Sequence, residues 1–372
     1  MNYKEIKSSD INIKLSAFNG EYHAIIEGTN PMLDTETQYA NIRNALASLQ
    51  NQLPENATLV FKRYFVSDAF NQASLLPKAE YSVVSIVQQP PLNNTKGALW
   101  AYFVEDTTIK NNGENAVIAE RTHYSHFFNT QLHSRHKNEF TQTEDIFKKY
   151  TSELTRHHLT LKDHCIRTWI YVQGVDTHYA DMVEARKLYF CEQGLTEQTH
   201  YIASTGIEAK YIYPETLVLM DSYAVSGIAP GQITFLKGSS HLNPTHEYGV
   251  TFERATAVDY GDRRHIFVSG TASIDNKGEI VHPLHIGKQV ERTLENIEVL
   301  LHEGGAEISD IAQLIVYLRD TADYNVVSSY LAEQLPDTPK VIVCAPVCRP
   351  GWLVEMECIA IKAVENSSYE VF

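Results

Sequence analysis

Residues 142–163, QTEDIFKKYTSELTRHHLTLKD, and residues 289–310, QVERTLENIEVLLHEGGAEISD, decide the fold because they are two copies of one unit. Placing Gln142 on Gln289 (289 − 142 = 147) superposes the two stretches without a gap. The aligned pairs include Glu144 with Glu291, Leu154 with Leu301, Leu161 with Ile308, and Asp163 with Asp310. An internal period of this kind indicates a chain built from repeated supersecondary units.

Each copy is predicted to contain a helix, a short turn, a strand and a second helix. In the last copy, apolar residues recur at helical spacing over 294–301. Gly304-Gly305 then ends the helix, as residues that tolerate a positive φ do. Residues 314–318 are predicted as strand and 323–335 as the second helix. The matching pieces of the middle copy are residues 143–158, 165–172 and 179–191.

A fainter third copy occupies the N-terminal part of the chain. Its predicted pieces are a helix over 37–52, a strand over 59–66 and a short helix over 68–76. A closing strand is predicted at the end of each unit, over residues 98–104, 217–224 and 353–360. In the register of the last two strands, Glu355 replaces Leu219, so this acidic side chain is present only in the last copy.

Three such units in one chain predict an α+β fold. A helix with half-buried strands cannot close its own core, so the three units are expected to pack as a pseudo-trimeric barrel with sheets inside and helices outside. We expect an N-terminal unit over 1–120, a middle unit over 121–235 and a C-terminal unit over 236–372. The clefts between the units are the expected ligand sites.

Composition excludes several classes of function. The chain has 372 residues, 43% of them hydrophobic, and a formal net charge of −15. This charge argues against binding to a nucleic-acid backbone and leaves room for a local positive pocket that takes a small anionic substrate. No charged-then-apolar leader and no run of about 20 apolar residues is present, so we expect no membrane association and a cytoplasmic location. Five cysteines without C-x-x-C spacing fit reduced thiols.

From Phe252 onward the sequence resembles the Rid/YjgF family of small trimeric proteins with sites between subunits. The shared residues include Val268-Ser-Gly-Thr-Ala272, Thr293-Leu-Glu-Asn296, Asp310-Ile311, Asp320 and Val354-Glu-Met-Glu-Cys-Ile-Ala360. The imine deaminases of that family carry an arginine on the strand before the last one. That place falls here on Val341 or Ile342, which weakens a deaminase interpretation.

Over residues 80–362 the chain also resembles the chorismatase family, whose members look like three fused Rid-type units. The motifs that carry this resemblance are Gln88-Gln-Pro-Pro-Leu92, Leu99-Trp-Ala-Tyr102, Arg167-Thr-Trp-Ile-Tyr-Val172, Ala203-Ser-Thr-Gly-Ile207, Phe252-Glu-Arg-Ala255 and Val268-Ser-Gly-Thr-Ala-Ser273. The resemblance implies three fused Rid/YjgF-like (chorismate-mutase-like) units and cleavage of the enolpyruvyl ether of chorismate to pyruvate. It further implies that the general acid is a glutamate on the closing strand of the last unit, where Glu355 stands.

Glu355 is the predicted catalytic residue on chemical grounds as well. Cleavage of a vinyl ether needs a proton at the terminal methylene carbon, and hence a carboxylic acid that stays protonated near neutral pH. Strand alternation places Glu355 and Glu357 on one face, beside a core-like stretch where burial would raise a carboxyl pKa. The alternative is that both carboxylates line a solvated face. The apolar Leu219 in the middle copy favours catalysis for Glu355, whereas Glu357, opposite Asp221, fits a structural role.

Chorismate carries two carboxylates, so its site should offer arginine forks. Arg319 is the first candidate because it ends a strand on the face of Ile315 and Tyr317. Arg167 lies in a motif shared with the family, but the 147-residue register places it on the Leu314 face, under helices. Arg254 is a further candidate, with a surface or core role as the alternative.

The remaining substrate-binding candidates are weaker in chemistry. Tyr213 is a candidate that could equally lie at the surface or in the core. Gly270 and Thr271 are predicted to form a turn whose backbone N–H groups could bind a carboxylate. Cys344 could shape the pocket, with core packing as the alternative.

We predict no metal and no cofactor. His123-x-x-His126 and His133-x-x-His136 have ligand-like spacing, but sixteen histidines produce such spacings by accident, and the expected partner ligands are missing. Two other functions stay open: a Rid-type enamine or imine deaminase, and a non-catalytic protein that binds a small carboxylate. Three fused units already satisfy the trimeric requirement, so we expect a monomer or a homodimer.

Overall fold

The computed structural model describes residues 1–76 and 82–372 and contains three six-stranded mixed sheets. The first sheet comprises β1 (Asn2–Lys7), β2 (Ile11–Phe18), β3 (Glu21–Gly28), β4 (Ala57–Val66), β5 (Val83–Gln88) and β6 (Gly97–Glu105). The second comprises β7 (Thr108–Asn111), β8 (Ala116–Glu120), β9 (Ser125–His133), β10 (Cys165–Val172), β11 (Ala203–Glu208) and β12 (Val218–Ser226). The third comprises β13 (Ile233–Leu236), β14 (Ala255–Asp259), β15 (Arg263–Ala272), β16 (Ile311–Leu318), β17 (Lys340–Cys344) and β18 (Val354–Ala363).

The three sheets share one strand order, which confirms the internal repeat. The orders are β1-β2-β3-β6-β4-β5, β7-β8-β9-β12-β10-β11 and β13-β14-β15-β18-β16-β17. In each sheet the last two strands pair in parallel, and the helix or helical turns between them form the crossover. The predicted α+β fold of three fused units is therefore confirmed.

Seven α-helices accompany the sheets in the described ranges. They are α1 (Thr35–Gln50), α2 (Ala69–Gln72), α3 (Glu139–Arg156), α4 (Leu161–His164), α5 (Val175–Glu192), α6 (Ile286–Glu303) and α7 (Tyr324–Gln334). Of these, α1, α3 and α6 pack on the outer faces of the first, second and third sheets. Within residues 1–76 and 82–372, no helix combines the length and apolar character needed to cross a bilayer.

Local chemistry explains where the long helices begin and end. The Asp34 and Asn138 side chains accept hydrogen bonds from the backbone N–H groups of Thr37 and Thr141, and so cap α1 and α3. After α6, Gly305 takes a φ of +74°, the left-handed conformation expected at this helix end.

The strand pairing bears on the unit boundaries. A division at residue 120 would cut the second sheet, because β7 and β8 pair with each other and β8 pairs with β9. A division at 235 would cut through β13, which pairs with β14 of the third sheet. We therefore propose that the middle unit begins between β6 and β7, and that the C-terminal unit begins before β13.

A one-residue insertion changes the register between the two clearest copies. The turn before β10 is the four-residue α4, whereas the turn before β16 is the three-residue stretch Ile308–Asp310. The helices are therefore offset by 147 residues, but the strands by 146 (311 − 165). Since a slip of one residue moves a side chain to the other face of a strand, Arg167 aligns with Gln313 and points between the sheets. The expectation that Arg167 lies under helices was wrong.

Buried ion pairs join the units, and Arg63 also lies 3.9 Å from Glu357 of the third unit. Arg63 binds Asp221 across the first and second sheets, with Nη2 3.0 Å from Oδ2. Arg167 binds Glu357 across the second and third sheets, with Nη2 2.8 Å from Oε2. Arg263 binds Glu21 across the third and first sheets.

Candidate active site

Glu355 lies near the beginning of β18, where the third unit meets the second. Its backbone pairs with Ala272 of β15 on one side and with Tyr317 of β16 on the other. Only 3% of the residue is exposed. The carboxyl group is therefore held by a central strand of a sheet and screened from bulk water.

Burial controls the protonation of Glu355. Desolvation is the largest cause and, with the negative charge of Glu357, raises the pKa of Glu355 to about 8, against the opposing effect of Arg167 and Arg254. No hydrogen bond from the described residues stabilises its ionised form. Burial therefore favours the protonated carboxylic acid near neutral pH, the form that general acid catalysis requires.

Glu355 faces a cavity with three guanidinium groups. Arg186 comes from α5, Arg254 directly precedes β14, and Arg349 lies in the loop before β18. The other polar or aromatic lining residues are Tyr179, Ser204, Tyr248, Phe252, Cys348 and Trp352. Because the lining comes from the second and third units, the cavity lies in an inter-unit cleft, as the repeat predicted.

Several polar atoms of this cavity are unsatisfied. Nη2 of Arg186, Oη of Tyr248 and Nε1 of Trp352 are buried, and none has a hydrogen-bond partner among residues 1–76 and 82–372. Three buried donors left unpaired around one cavity are costly unless a polar ligand or ordered water engages them. Their arrangement suits a molecule rich in oxygen acceptors.

Three of the lining side chains stack on one another. The Arg349 guanidinium lies 4.9 Å from the ring centre of Tyr248 and 5.3 Å from that of Trp352. Arg349 Nη2 also donates to the Tyr248 carbonyl oxygen at 3.4 Å. The cavity measures about 20 Å³, enough for a water molecule or two. A larger ligand therefore requires some of the lining side chains to move.

Two small residues keep this cleft open beside Glu355. A Cβ atom on Gly270 would lie 2.8 Å from Glu355 Cδ, and one on Gly206 would lie 2.9 Å from Tyr179 Cε2. In the cleft between the first and second units, the strand registers place Gln131 where Gly270 stands, Ile86 where Gly206 stands and Leu219 where Glu355 stands.

The cleft between the third and first units is closed in a similar way. There Ile342 occupies the place of Gly206, and Ala98 that of Glu355. The acid and the space in front of it are therefore combined in one of the three clefts.

Of the residues predicted from the sequence, Arg254 and Gly270 line the cavity with Glu355. Arg254 is buried and fixed by hydrogen bonds from Nε and Nη2 to the carbonyl oxygen of Asn243. Gly270 and Thr271 lie within β15 and not in a turn, so the expected pair of free N–H groups is absent. The Gly270 N–H donates to Thr205 Oγ1, and the Thr271 hydroxyl donates to the carbonyl oxygen of Ser269.

The structure places Arg319 and Arg167 outside the cavity lining. Arg319 forms a two-pronged ion pair with Asp176 and donates to the Val347 carbonyl oxygen, which ties the third unit to the second. Arg167 is fully engaged with Glu357, Thr205 and Ser269. Both arginines have protein partners where substrate contacts were expected.

Tyr213 and Cys344 also lie away from the cavity. Tyr213 is 46% exposed and packs against His133 and Tyr211. Cys344 ends β17, and its N–H donates to the Pro90 carbonyl oxygen. The cysteine that lines the cavity is Cys348. Burial and the neighbouring Glu355 raise the pKa of its thiol to about 12.

Sequence reasoning missed Arg186, Arg349 and the two aromatic residues around Arg349. The relevant signal for Arg349 was its place in Cys348-Arg-Pro-Gly-Trp352, a cationic and aromatic loop directly before the strand of Glu355. Arg186 gave no such signal within its helix. In the described part of the chain, no three His, Cys, Asp or Glu side chains cluster as metal ligands.

Comparison with known proteins gives the family. Residues 253–362 match the family model described as endoribonuclease L-PSP. Over 100 residues the chain is 37% identical to a RutC family protein of Pyrococcus abyssi, covering 26% of this chain and 78% of that protein. It is 29% identical over 97 residues to the 3-aminoacrylate deaminase RutC of Acinetobacter baylyi, covering 26% of this chain and 77% of that protein. The chain belongs to the RutC family, and the Rid/YjgF resemblance of its last third is confirmed.

The whole chain is similar to a solved chorismatase crystal structure. The likeness covers 93% of this chain and 99% of that one, with a TM-score of 0.65 and 19% sequence identity. It confirms the fold of three fused units that the chorismatase resemblance implied.

Proposed function

We propose that this protein is a chorismatase-type hydrolase or lyase that cleaves the enolpyruvyl ether of chorismate. The observation that carries the proposal is Glu355, a buried carboxylic acid with a pKa of about 8, facing a cavity with three arginines. Protonation of a vinyl ether requires such an acid, and a dianionic substrate requires such cations.

In the proposed reaction, Glu355 transfers its proton to the terminal methylene carbon of the enolpyruvyl group. This forms a methyl group and leaves an oxocarbenium ion next to the ether oxygen. Attack by water gives a hemiketal, which collapses to pyruvate and a hydroxylated cyclohexadiene acid, and the proton lost by water returns to Glu355. If a ring hydroxyl captures the cation instead, loss of pyruvate leads to a hydroxybenzoic acid.

Arg186, Arg254 and Arg349 are the proposed ligands of the two substrate carboxylates. Arg186 has an unpaired buried Nη2, and Arg349 belongs to the stack of side chains that lines the cavity. A guanidinium can hold a carboxylate with two parallel hydrogen bonds, which fixes orientation as well as charge. We propose that closure of the Tyr248–Arg349–Trp352 stack over the substrate completes the site.

Incubation of the purified protein with chorismate tests this function. We expect pyruvate release by the wild type and a loss of at least about 100-fold in the Glu355→Gln variant, the usual scale for a general acid. Glu333→Gln, an exposed change on α7, is the matched control and should keep full activity. Absence of pyruvate with folded wild-type protein, or full activity of Glu355→Gln, contradicts the proposal.

A Rid-type deaminase is the second candidate, because the chain matches the 3-aminoacrylate deaminase RutC. Against it, Val341 and Ile342 are buried apolar residues of β17, where the deaminases carry an arginine. This candidate predicts accelerated ammonia release from 2-aminoacrylate. A non-catalytic carboxylate-binding protein, in contrast, predicts a higher Tm with chorismate and no turnover.

A further inference from the structure

The ion pair between Arg167 and Glu357 lies next to Glu355 along β18. Glu357 follows Glu355 by two residues in β18, so both side chains project from one face of the strand. Arg167 and Glu357 are 2% and 1% exposed, and neither lines the cavity. The pair therefore stands beside Glu355 without access to a ligand.

Glu357 is held on both of its oxygens. Oε2 accepts from Arg167 Nη2 at 2.8 Å, and Oε1 accepts from Trp169 Nε1 at 2.7 Å. The Arg167 guanidinium also lies 5.0 Å from the Trp169 ring centre. Arg63 Nη1 of the first unit also lies 3.9 Å from Oε1, so Glu357 is the carboxylate of a buried cluster that includes two guanidinium groups.

A second chain of contacts leads from Arg167 to the backbone beside the acid. Arg167 Nη2 donates to Thr205 Oγ1, and the same oxygen accepts the Gly270 N–H at 2.9 Å. Gly270 is the residue against which the Glu355 carboxyl packs. Arg167 thus positions the wall of the acid's own niche.

Opposite charges beside Glu355 act on it in opposite directions. The charge on Glu357 disfavours ionisation of Glu355, and the charge on Arg167 favours it, so the two oppose each other while the pair is intact. The titratable or charged groups that face Glu355 are Glu357 on β18, Tyr317 on β16, Arg167 on β10, Tyr179 and Arg186 on α5, Arg254 before β14, and Cys348 and Arg349 in the loop before β18.

We propose that Arg167 and Glu357 are a positioning pair for Glu355: they stay out of substrate contact, oppose each other's effect on its ionisation and fix the Gly270 backbone against it. The inference rests on the proposed role of Glu355 as the proton donor. Arg167, which lies in a motif shared with the chorismatase family, then influences the protonation of Glu355 and does not bind the substrate.

Three variants test the pair. Glu357→Gln leaves the Arg167 cation uncompensated, so Glu355 should ionise more readily. The alkaline limb of the pH–activity profile, where activity falls as the pH rises, should therefore shift at least about one pH unit lower. Arg167→Gln should shift this limb to higher pH. The double variant removes both charges and should return the limb close to its wild-type position, a recovery that a merely structural role does not give.

The control is Asp176→Asn, which breaks the partly exposed ion pair with Arg319 at the same unit interface and should leave the limb unmoved. Ionisation of Glu355 is followed independently by infrared difference spectroscopy, as the carbonyl band of the protonated carboxyl that disappears in Glu355→Gln. An unchanged limb and band in Glu357→Gln, or equal shifts in Glu357→Gln and the double variant, overturns the positioning pair.

The two readouts separate this inference from the proposed function. If the infrared titration shifts as expected in protein that releases no pyruvate from chorismate, the positioning pair stands and the chorismatase reaction falls. If pyruvate is released but neither titration nor pH profile responds to Glu357→Gln, the reaction stands and the pair falls.

Discussion

Gly270 leaves the space that the Glu355 carboxyl occupies: a Cβ atom added to Gly270 would lie 2.8 Å from Glu355 Cδ and closer still to Oε1. Gly270 lies in the β-bulge of β15 between Val268 and Thr271, where the strand is locally displaced from β18. The bulge and the missing side chain together create the niche of the acid.

Gly270→Ala should therefore displace the acid without removing it. The methyl group would push the flexible end of Glu355, and a misplacement of about 1 Å can lower a rate by about 100-fold. We expect kcat for pyruvate release to fall at least about tenfold with Tm nearly unchanged. Gly287→Ala, whose Cβ would meet only ordinary contacts at 3.6 Å or more, is the control. Full activity of Gly270→Ala would show that activity does not depend on the exact position of the Glu355 carboxyl in this niche.

Glu355→Gln should change how stability depends on pH. The folded pKa of about 8 lies above the usual value of 4.5, so the native protein binds more protons than the unfolded chain between these values. The contribution is fully present below the unfolded pKa and is lost as the pH rises through 8, at up to about 1.4 kcal/mol per pH unit.

The measurement is urea unfolding of both proteins between about pH 5 and pH 9. Relative to Glu355→Gln, the wild type should lose free energy of unfolding as the pH rises through this range. Parallel stability curves for the two proteins would show that Glu355 is not protonated in the native state.

The sequence predicted the long outer helices and two strands of each unit, because these depend on local pattern and on comparison between the copies. Glu355 was singled out as an acid at a position that is apolar, Leu219, in the middle copy. The face of Arg167 was not predictable from a gap-free 147-residue offset, because the extra residue in α4 shifts the strand that follows it. A single-residue difference decides which face of a strand a side chain occupies, but it does not change whether a segment forms a helix or a strand.

Arg186, unlike Arg254, could not be derived from pattern alone as a cavity-lining arginine. Arg186 lies on α5 and becomes part of the cavity because the second unit packs against the third, a relationship encoded in residues far apart in the chain. Arg319 has a suitable strand position, yet Asp176 of the neighbouring unit satisfies its guanidinium. Which cation stays free for a ligand is decided by these partners.

Arg349→Ala and Arg319→Ala should therefore change different properties, namely substrate binding in the first and stability in the second. Removal of Arg349, at the cavity wall, should raise KM for chorismate at least about tenfold with little change in Tm. Removal of Arg319 should leave KM unchanged and lower the free energy of unfolding by about 1 kcal/mol, since its ion pair is partly exposed. Steady-state kinetics and urea unfolding of both variants check this, and a raised KM in Arg319→Ala would restore Arg319 as a substrate ligand.

Glu21→Gln should test how strongly the units are held together by their buried ion pairs. Glu21 accepts hydrogen bonds from Arg263, His265 and Tyr102 between the third and first units. Burial alone would raise the pKa of Glu21, but the charges and hydrogen bonds of His265 and Arg263 outweigh burial and hold it well below its usual range. Removing one partner of a buried pair commonly costs about 3–5 kcal/mol when the other charge is left unpaired. Arg263 keeps its ion pair with Asp262, so Glu21→Gln should cost less than this.

The depressed pKa of Glu21 also predicts how the stability difference between wild type and Glu21→Gln changes with pH. Since the folded pKa of Glu21 is depressed, its contribution is present above the unfolded pKa of the carboxyl group and is lost as the pH falls through the folded value. Wild type should therefore exceed Glu21→Gln in free energy of unfolding most clearly at neutral pH, and the gap should narrow below about pH 4. Exposed Glu333→Gln is the control, and urea unfolding at both pH values is the measurement. A gap that is absent at neutral pH would mean that apolar packing, and not this ion pair, joins the third unit to the first.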